Sequence, residues 1–356
     1  MKKDAFGLKS PIDDGNLDLR VGNTQYLEKY WVLLDQFYNG SVGKTHIKPQ
    51  WFMNYDTTHG KTYLKQEILA LHAKVGNAET KDYEVVIGNG ASQILSAAVF
   101  ALARRGVELV LAKPPYWPRF NALSLIGGLE HVGQDNIRSF RGFVGTEFPP
   151  SKSFAEIITN PNNPDNKVRT EKSEHGYSIY DLCYNWPQYT NIVRYAEDIM
   201  VFSLGKATGH AGTRIGWALV KDHAIAEDMK FFIELSTSGV SEDAQFRATN
   251  ILKTQTSLKD WTSCFVVGKQ ELDQRWLAFT KATKTFKKEF EPVNDTGMFA
   301  WCKAVSPADD GSEMLKTIAK VLSVNGELFG CTKDYFRINL GSHADDFQEF
   351  IKRLAK

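Results

Sequence analysis

Lys206 stands at the end of an apolar run, Val201-Phe202-Ser203-Leu204-Gly205-Lys206, that reads as a buried strand closing on an amine. Ser203 lies three positions before it and Arg214 eight after it, across the small-residue turn Thr208-Gly209-His210. An amine flanked in this way suits a phosphorylated aldehyde. The lysine forms a Schiff base with the carbonyl, while a hydroxyl and a guanidinium hold the phosphate through charge-assisted hydrogen bonds. A lysine at a strand end is far more often merely solvated, so the reading rests on four further segments.

The first is Asn160-Pro161-Asn162-Asn163-Pro164-Asp165, after the apolar run Phe154-Ala155-Glu156-Ile157. Two Asn-Pro steps this close end a strand, because proline lacks the amide donor and restricts the residue before it. A single such step is as often just a rigid turn. The second is Tyr177-Ser178-Ile179-Tyr180-Asp181, a strand ending in a carboxylate, with Tyr184 three residues on. A buried acid is costly unless paired, and a protonated pyridine nitrogen would offset that cost. The third, Val85-Val86-Ile87-Gly88-Asn89-Gly90-Ala91-Ser92-Gln93, passes from strand to helix through glycines and presents backbone N–H groups to an anion. Alone, a Gly-x-Gly turn is weak evidence for phosphate. The fourth is Phe336-Arg337-Ile338-Asn339-Leu340, whose arginine is either a buried structural ion pair or a carboxylate receptor.

Together these residues resemble the fold-type I pyridoxal-phosphate enzymes, the aspartate aminotransferase superfamily. Within it, Asn160 to Asp165, Tyr184-Asn185-Trp186-Pro187-Gln188-Tyr189-Thr190 and the run from Gly205 to Asp222 are similar to the alliinase and plant tryptophan aminotransferase family, over the chain from about Gly22 onward. The resemblance implies pyridoxal 5'-phosphate as cofactor. It also implies an α/β fold: a large domain with a mostly parallel seven-stranded sheet between helices, plus a small α+β C-terminal domain.

Position by position, the resemblance makes Lys206 the Schiff-base lysine, which also shuttles a proton between substrate Cα and cofactor C4′. Asp181 matches the acid that pairs with the pyridinium nitrogen, and Asn163 and Tyr184 match the donors to the ring O3′. Tyr116, in Pro114-Pro115-Tyr116-Trp117, matches the aromatic stacked on the ring. The phosphate contacts fall on Gly90, Ala91 and Ser92, joined by Ser203 and Arg214. Arg337, with Asn163, matches the receptor for the substrate α-carboxylate. Tyr55 fits the tyrosine that reaches a neighbouring subunit's phosphate, which implies a homodimer with a shared active site.

Five positions depart from the pattern. Gly22-Asn23-Thr24 stands where many relatives carry Gly-Asp-Pro, and Gly205 and Asn185 replace a serine and a tyrosine. Asn166 replaces a glycine, though asparagine also tolerates positive φ. The N-terminal loop and Asn185 are expected near the substrate side chain.

Composition narrows little. A chain of 356 residues can bury a large core as one big domain and a smaller one. We expect an N-terminal arm (1–25) on the small domain, a large cofactor-binding domain (26–270) and a small C-terminal domain (271–356). With 43 basic and 42 acidic residues, no long-range field recruits nucleic acid. The basic cluster Lys167, Arg169 and Lys172 reads as a solvated face. Four cysteines show neither close pairing nor metal spacing, so no metal is expected and a reducing, cytoplasmic setting is. Met1-Lys2-Lys3 is followed by polar residues rather than a signal-peptide core, and no run approaches the roughly 20 apolar residues of a membrane span.

Apolar spacing predicts helices over Tyr26 to Phe37, Tyr63 to Val75, Ser241 to Gln255 and Asp260 to Lys284, the last linking the domains, and a final helix near Asp345 to Ala355. Short strands alternate with helices from Glu84 to Val220, and two more fall near Phe299 to Lys303 and Phe336 to Leu340. The leading function is transamination of an L-amino acid to a 2-oxo acid. The alternative is β/γ-elimination or elimination with cyclisation. The acidic loop Ile12-Asp13-Asp14-Gly15-Asn16-Leu17-Asp18 could receive a guanidino side chain, although most such loops are solvated turns. A non-enzymatic binding role is disfavoured by the intact set of Lys206, Asp181, Asn163, Tyr184, Arg214 and Arg337.

Overall fold

The computed structural model describes residues 12–13, 15–22, 24–37, 59–126, 130–131, 153–170, 176–259, 262–286 and 289–355. An N-terminal hairpin of β1 (Ile12–Asp13) and β2 (Asn16–Asp18) opens the chain. The central sheet contains β3 (Glu84–Gly88), β4 (Leu109–Leu111), β5 (Glu130–His131), β6 (Phe154–Thr159), β7 (Tyr177–Asp181), β8 (Ile199–Ser203) and β9 (Gly216–Val220). Its order is β3-β9-β8-β7-β6-β4-β5, parallel from β8 to β5, with β9 antiparallel to both neighbours.

Alternation along each strand explains why helices cover both faces. Val85, Ile87, Met200, Phe202, Trp217 and Leu219 join one apolar cluster with Leu64, Ile68 and Leu71 of the helix Thr62–Val75. Their neighbours Val86, Val201 and Ala218 point the other way, onto Ala97, Ala101 and Leu102 of the helix Ala91–Ala103. This arrangement leaves the carboxyl ends of the parallel strands as the place where a site can form.

A second sheet has the order β10-β11-β14-β13, from β10 (Phe290–Pro292), β11 (Phe299–Ala304), β13 (Val324–Asn325) and β14 (Tyr335–Asn339). The strand between, β12 (Val321–Leu322), pairs in parallel with β2, joining the N-terminal segment to the C-terminal part of the chain. Leu17 and Leu19 are buried there with Phe279, Phe336 and Phe350. The helix Cys264–Thr285 contributes Phe265 and Leu272 to one core and Trp276 and Phe279 to the other.

Two expectations are corrected. The strand before the lysine stops at Ser203, and Lys206 sits on a short helix, Leu204–Thr208, that begins as β8 ends. The helix His223–Thr237 was not expected, although its start is encoded by Asp222, whose carboxylate accepts from Ala224 N and Ile225 N at 2.8 and 3.0 Å.

Candidate active site

Sheet register assembles the glycine-lined end of the site. Gly216 pairs with Ser203 on one side and with Gly88 on the other, bringing the ends of β8, β9 and β3 into one row. The helix Ala91–Ala103 starts there without a side-chain cap, so its first amides are available to an anion. Gly90 has φ +80°, and a Cβ there would come within 2.4 Å of Arg214 Nη2. A Cβ on Gly216 would come within 2.3 Å of Ala91 N. Arg214 itself adopts a left-handed backbone (φ 56°) and donates to Ala211 O at 3.1 Å and Asn89 O at 3.4 Å. Gly90, Ala91, Ser92, Ser203 and Arg214 thus gather at one edge.

Lys206 is half-buried, its amine donating to Gly22 O and lying 5.7 Å from the centre of the Tyr184 ring. Burial lowers its pKa from an ordinary 10.5 to about 8. Asp181, paired in register with Thr159, is 5% exposed and accepts from Cys183 N at 3.2 Å. Burial raises its pKa, opposed by those Cys183 contacts and by the Lys206 charge. A buried carboxylate so thinly paired fits a cationic ring N–H.

Asn163 links the remaining parts. Its amide nitrogen lies 3.4 Å from Tyr184 Oη, and its oxygen accepts from Arg337 Nη1 at 2.8 Å. Arg337 is packed between Phe299 and Phe329, at 4.1 and 5.1 Å from their ring centres, and its other terminal nitrogen donates to Arg20 O. Its Nε is buried with no hydrogen-bond partner among the described residues. Burial brings the guanidinium down to about 10 and lifts the Tyr184 phenol well above its usual range. Tyr116 is buried, and the carbonyl before it, Pro115 O, is held by Asn162 at 2.9 Å and Arg169 at 2.8 Å. Arg169 is therefore structural rather than part of a solvated basic face.

Other expectations fare differently. Asn185 does not face the substrate: its amide donates to Val193 O at 2.8 Å and Asn77 O at 3.3 Å, and Asn77 donates back to its carbonyl. Asp18 is already engaged by the guanidinium of Arg20 at 2.8 Å. Tyr55, Asn23, Asp14 and Lys172 lie outside the described residues. The departures at Thr24 and Gly205 meet each other, Thr24 Oγ1 donating to Gly205 O at 3.0 Å, a contact proline cannot make. A side chain at Gly205 would come within 2.7 Å of Ala211 Cα, which explains the missing serine. Asn166 has the positive φ (55°) its turn requires.

The sequence reading assigned no role to Cys183, Gln188 or Tyr189. Their spacing from Asp181 was the available signal. Among the described residues, Glu84, His223 and Glu227 have metal-ligand spacing, but the Lys230 ammonium sits between the two carboxylates. No helix of the described residues is long and apolar enough to cross a membrane.

Fold and donor set define a fold-type I enzyme that uses pyridoxal 5'-phosphate. Aspartate aminotransferase from Rhizobium meliloti superposes with a TM-score of 0.69 at 17% identity, covering 96% of this chain and 90% of that one. A family model described as Allinase matches residues 17–356, so the chain belongs to the alliinase family. Tryptophan aminotransferase-related protein 2 of Arabidopsis thaliana is 32% identical over 96% of this chain and 81% of its own length. Alliin lyase of Allium cepa var. aggregatum is 28% identical over 94% and 80%.

The residues fit the cofactor. Lys206 would hold its aldehyde, Asp181 its ring nitrogen, and Asn163 with Tyr184 its ring oxygen. The edge formed by Gly90 to Ser92, Ser203 and Arg214 would hold the phosphate.

Proposed function

We propose that this chain is an aminotransferase that takes an L-amino acid to its 2-oxo acid. The observation that carries the reading is the Arg337–Asn163 contact, which sets a carboxylate receptor beside the donors to the ring oxygen. Bound pyridoxal 5'-phosphate supplies the electron sink that makes the substrate Cα–H acidic. Arg337 holds the α-carboxylate and so orients Cα toward the Lys206 amine. That amine, near 8 rather than 10.5, is neutral often enough at neutral pH to accept the Cα proton. Asp181 keeps the ring nitrogen protonated.

The higher identity to a tryptophan aminotransferase-related protein than to an alliin lyase supports transfer over elimination. Engagement of Asp18 by Arg20 counts against a guanidino substrate. A second reading, elimination of a β or γ substituent, has support in the same family membership.

The test is a panel of aromatic, sulfur-containing and guanidino amino acids, each supplied with an excess 2-oxo acid acceptor. Amination of the acceptor with release of the donor's 2-oxo acid is the expected result. A product that has lost its β or γ substituent, with the acceptor left unaminated, would establish the lyase reading instead.

A further inference from the structure

A five-residue helix cannot hold itself together, and the carbonyls of its last turn have no partners within it. In Leu204–Thr208 the cap amide Gly209 N reaches Gly205 O at 3.1 Å, and other parts of the chain supply further donors. Thr24 holds Gly205 O, and Trp31 Nε1 donates to Thr208 O at 2.7 Å. Cys264 Sγ approaches Ala207 O at 3.7 Å. Gln188 is bivalent, its Nε2 reaching Lys206 O at 3.1 Å and Ala207 O at 3.0 Å. Tyr189 Oη donates to the same Lys206 O at 2.9 Å. Two donors therefore converge on the peptide of the lysine itself, and both side chains are almost fully buried.

Both also come from the loop that starts at Asp181 and carries Tyr184. The Tyr184 ring, which faces the lysine amine, packs edge-on against Tyr189 at 5.8 Å. One loop thus grips Lys206 at both ends while presenting the groups for the ring nitrogen and ring oxygen.

We propose that Gln188 and Tyr189 are positioning residues for Lys206, locking the lysine peptide to the loop that presents Asp181 and Tyr184. The proposal rests on Lys206 being the cofactor lysine. A buried carbonyl that loses a donor is driven to find another. Here that turns the short helix and draws the amine out of the environment that depresses its pKa. Titration of the amine therefore reports its position.

The experiment measures the pH dependence of acetic anhydride labelling of Lys206 in the full chain freed of cofactor, read by mass spectrometry. It also measures the rate at which borohydride-fixable pyridoxal 5'-phosphate is captured. Tyr189→Phe removes only the hydroxyl, Gln188→Met both amide donors, and Trp31→Phe a donor at the far end of the helix. Thermal melts establish folding, and Tyr189→Phe, which keeps the ring, suffices if Gln188→Met does not fold. The expected result is a labelling midpoint raised by about one unit in the first two variants, with capture at neutral pH slowed about tenfold, and a wild-type midpoint in Trp31→Phe. Folded Tyr189→Phe with wild-type labelling and capture overturns the proposal. So do equal shifts in all three variants, which would reduce the contacts to general helix stability. A wild type that labels with a midpoint near 8 but captures no cofactor would instead overturn the functional reading, and the labelling comparison would still stand.

Discussion

Arg337 donates to the side-chain oxygen of Asn163 at 2.8 Å across 174 residues of sequence. The contact ties β14 to the Asn-Pro turn after β6, and because Asn163 also lies 3.4 Å from Tyr184 Oη it brings Arg337, the proposed carboxylate receptor, up to Tyr184. Removing either partner leaves the other buried and short of a hydrogen bond. Asn163→Ala should lower kcat/KM about 10- to 100-fold, as expected for losing a hydrogen bond to a charged group. Most of the loss should appear in KM for the amino acid. Steady-state kinetics with varied amino acid check this, and an unchanged KM would separate Asn163 from carboxylate binding.

Lys206→Ala removes the only amine placed among the cofactor groups described above. The wild type mixed with pyridoxal 5'-phosphate should turn yellow and, after borohydride, gain the cofactor's mass on the peptide containing residue 206. The variant should do neither. Covalent cofactor found on a different lysine would contradict the assignment.

Asp181→Asn keeps the shape but removes the charge. Breaking a buried ion pair costs roughly 3–5 kcal/mol, or about two to four decades in rate if felt wholly at the proton-transfer step. Some cofactor should still bind. Activity within tenfold of wild type would mean that another group holds the ring nitrogen.

The pH dependence of cofactor capture follows from Lys206. A folded-state pKa of about 8 against an ordinary 10.5 means the unfolded chain binds more protons between those values. Burying this cation therefore costs stability below pH 8, and the cost fades as pH rises toward 10.5. Only the neutral amine attacks an aldehyde, so the capture rate should rise about tenfold per pH unit and level off near pH 8. A rate still climbing near pH 10 would indicate an unperturbed lysine.

Gly90→Ala and Gly106→Ala form a controlled pair. Both residues have positive φ, +80° and +82°, so both substitutions strain the backbone, and at Gly90, with ψ 164°, that strain is about 1–3 kcal/mol. A Cβ at residue 106 meets nothing within 4 Å, whereas at residue 90 it strikes Arg214. A loss in Tm in both variants, larger in Gly90→Ala, with weakened cofactor affinity in Gly90→Ala alone is the expected result, measured by thermal melts and by cofactor titration. Equal cofactor affinity in the two variants would remove Gly90 and Arg214 from the phosphate site.

The cofactor of this protein was legible in the sequence because its signature resides in local patterns. A strand ending in Asp181, the doubled Asn-Pro turn and the Gly88-Asn89-Gly90 step each announce a backbone geometry through residues that permit little else. The parallel sheet was legible for the same reason: runs such as Val201-Phe202 must be covered on both faces. What remained hidden depends on contacts between distant segments. Asn185 is next to Tyr184 in sequence, yet its amide turns to Asn77 and Val193, because a buried amide goes where carbonyls need donors. Asp18 belongs to an acidic loop that the sequence alone leaves as a solvated turn or a receiver for a guanidino substrate, and only the folded N-terminal segment places Arg20 on it. The short helix under Lys206 shows the division most clearly. Its sequence reads as the end of a strand, and it becomes a helix because Trp31, Gln188, Tyr189 and Cys264, from three parts of the chain, supply donors to Lys206 O, Ala207 O and Thr208 O.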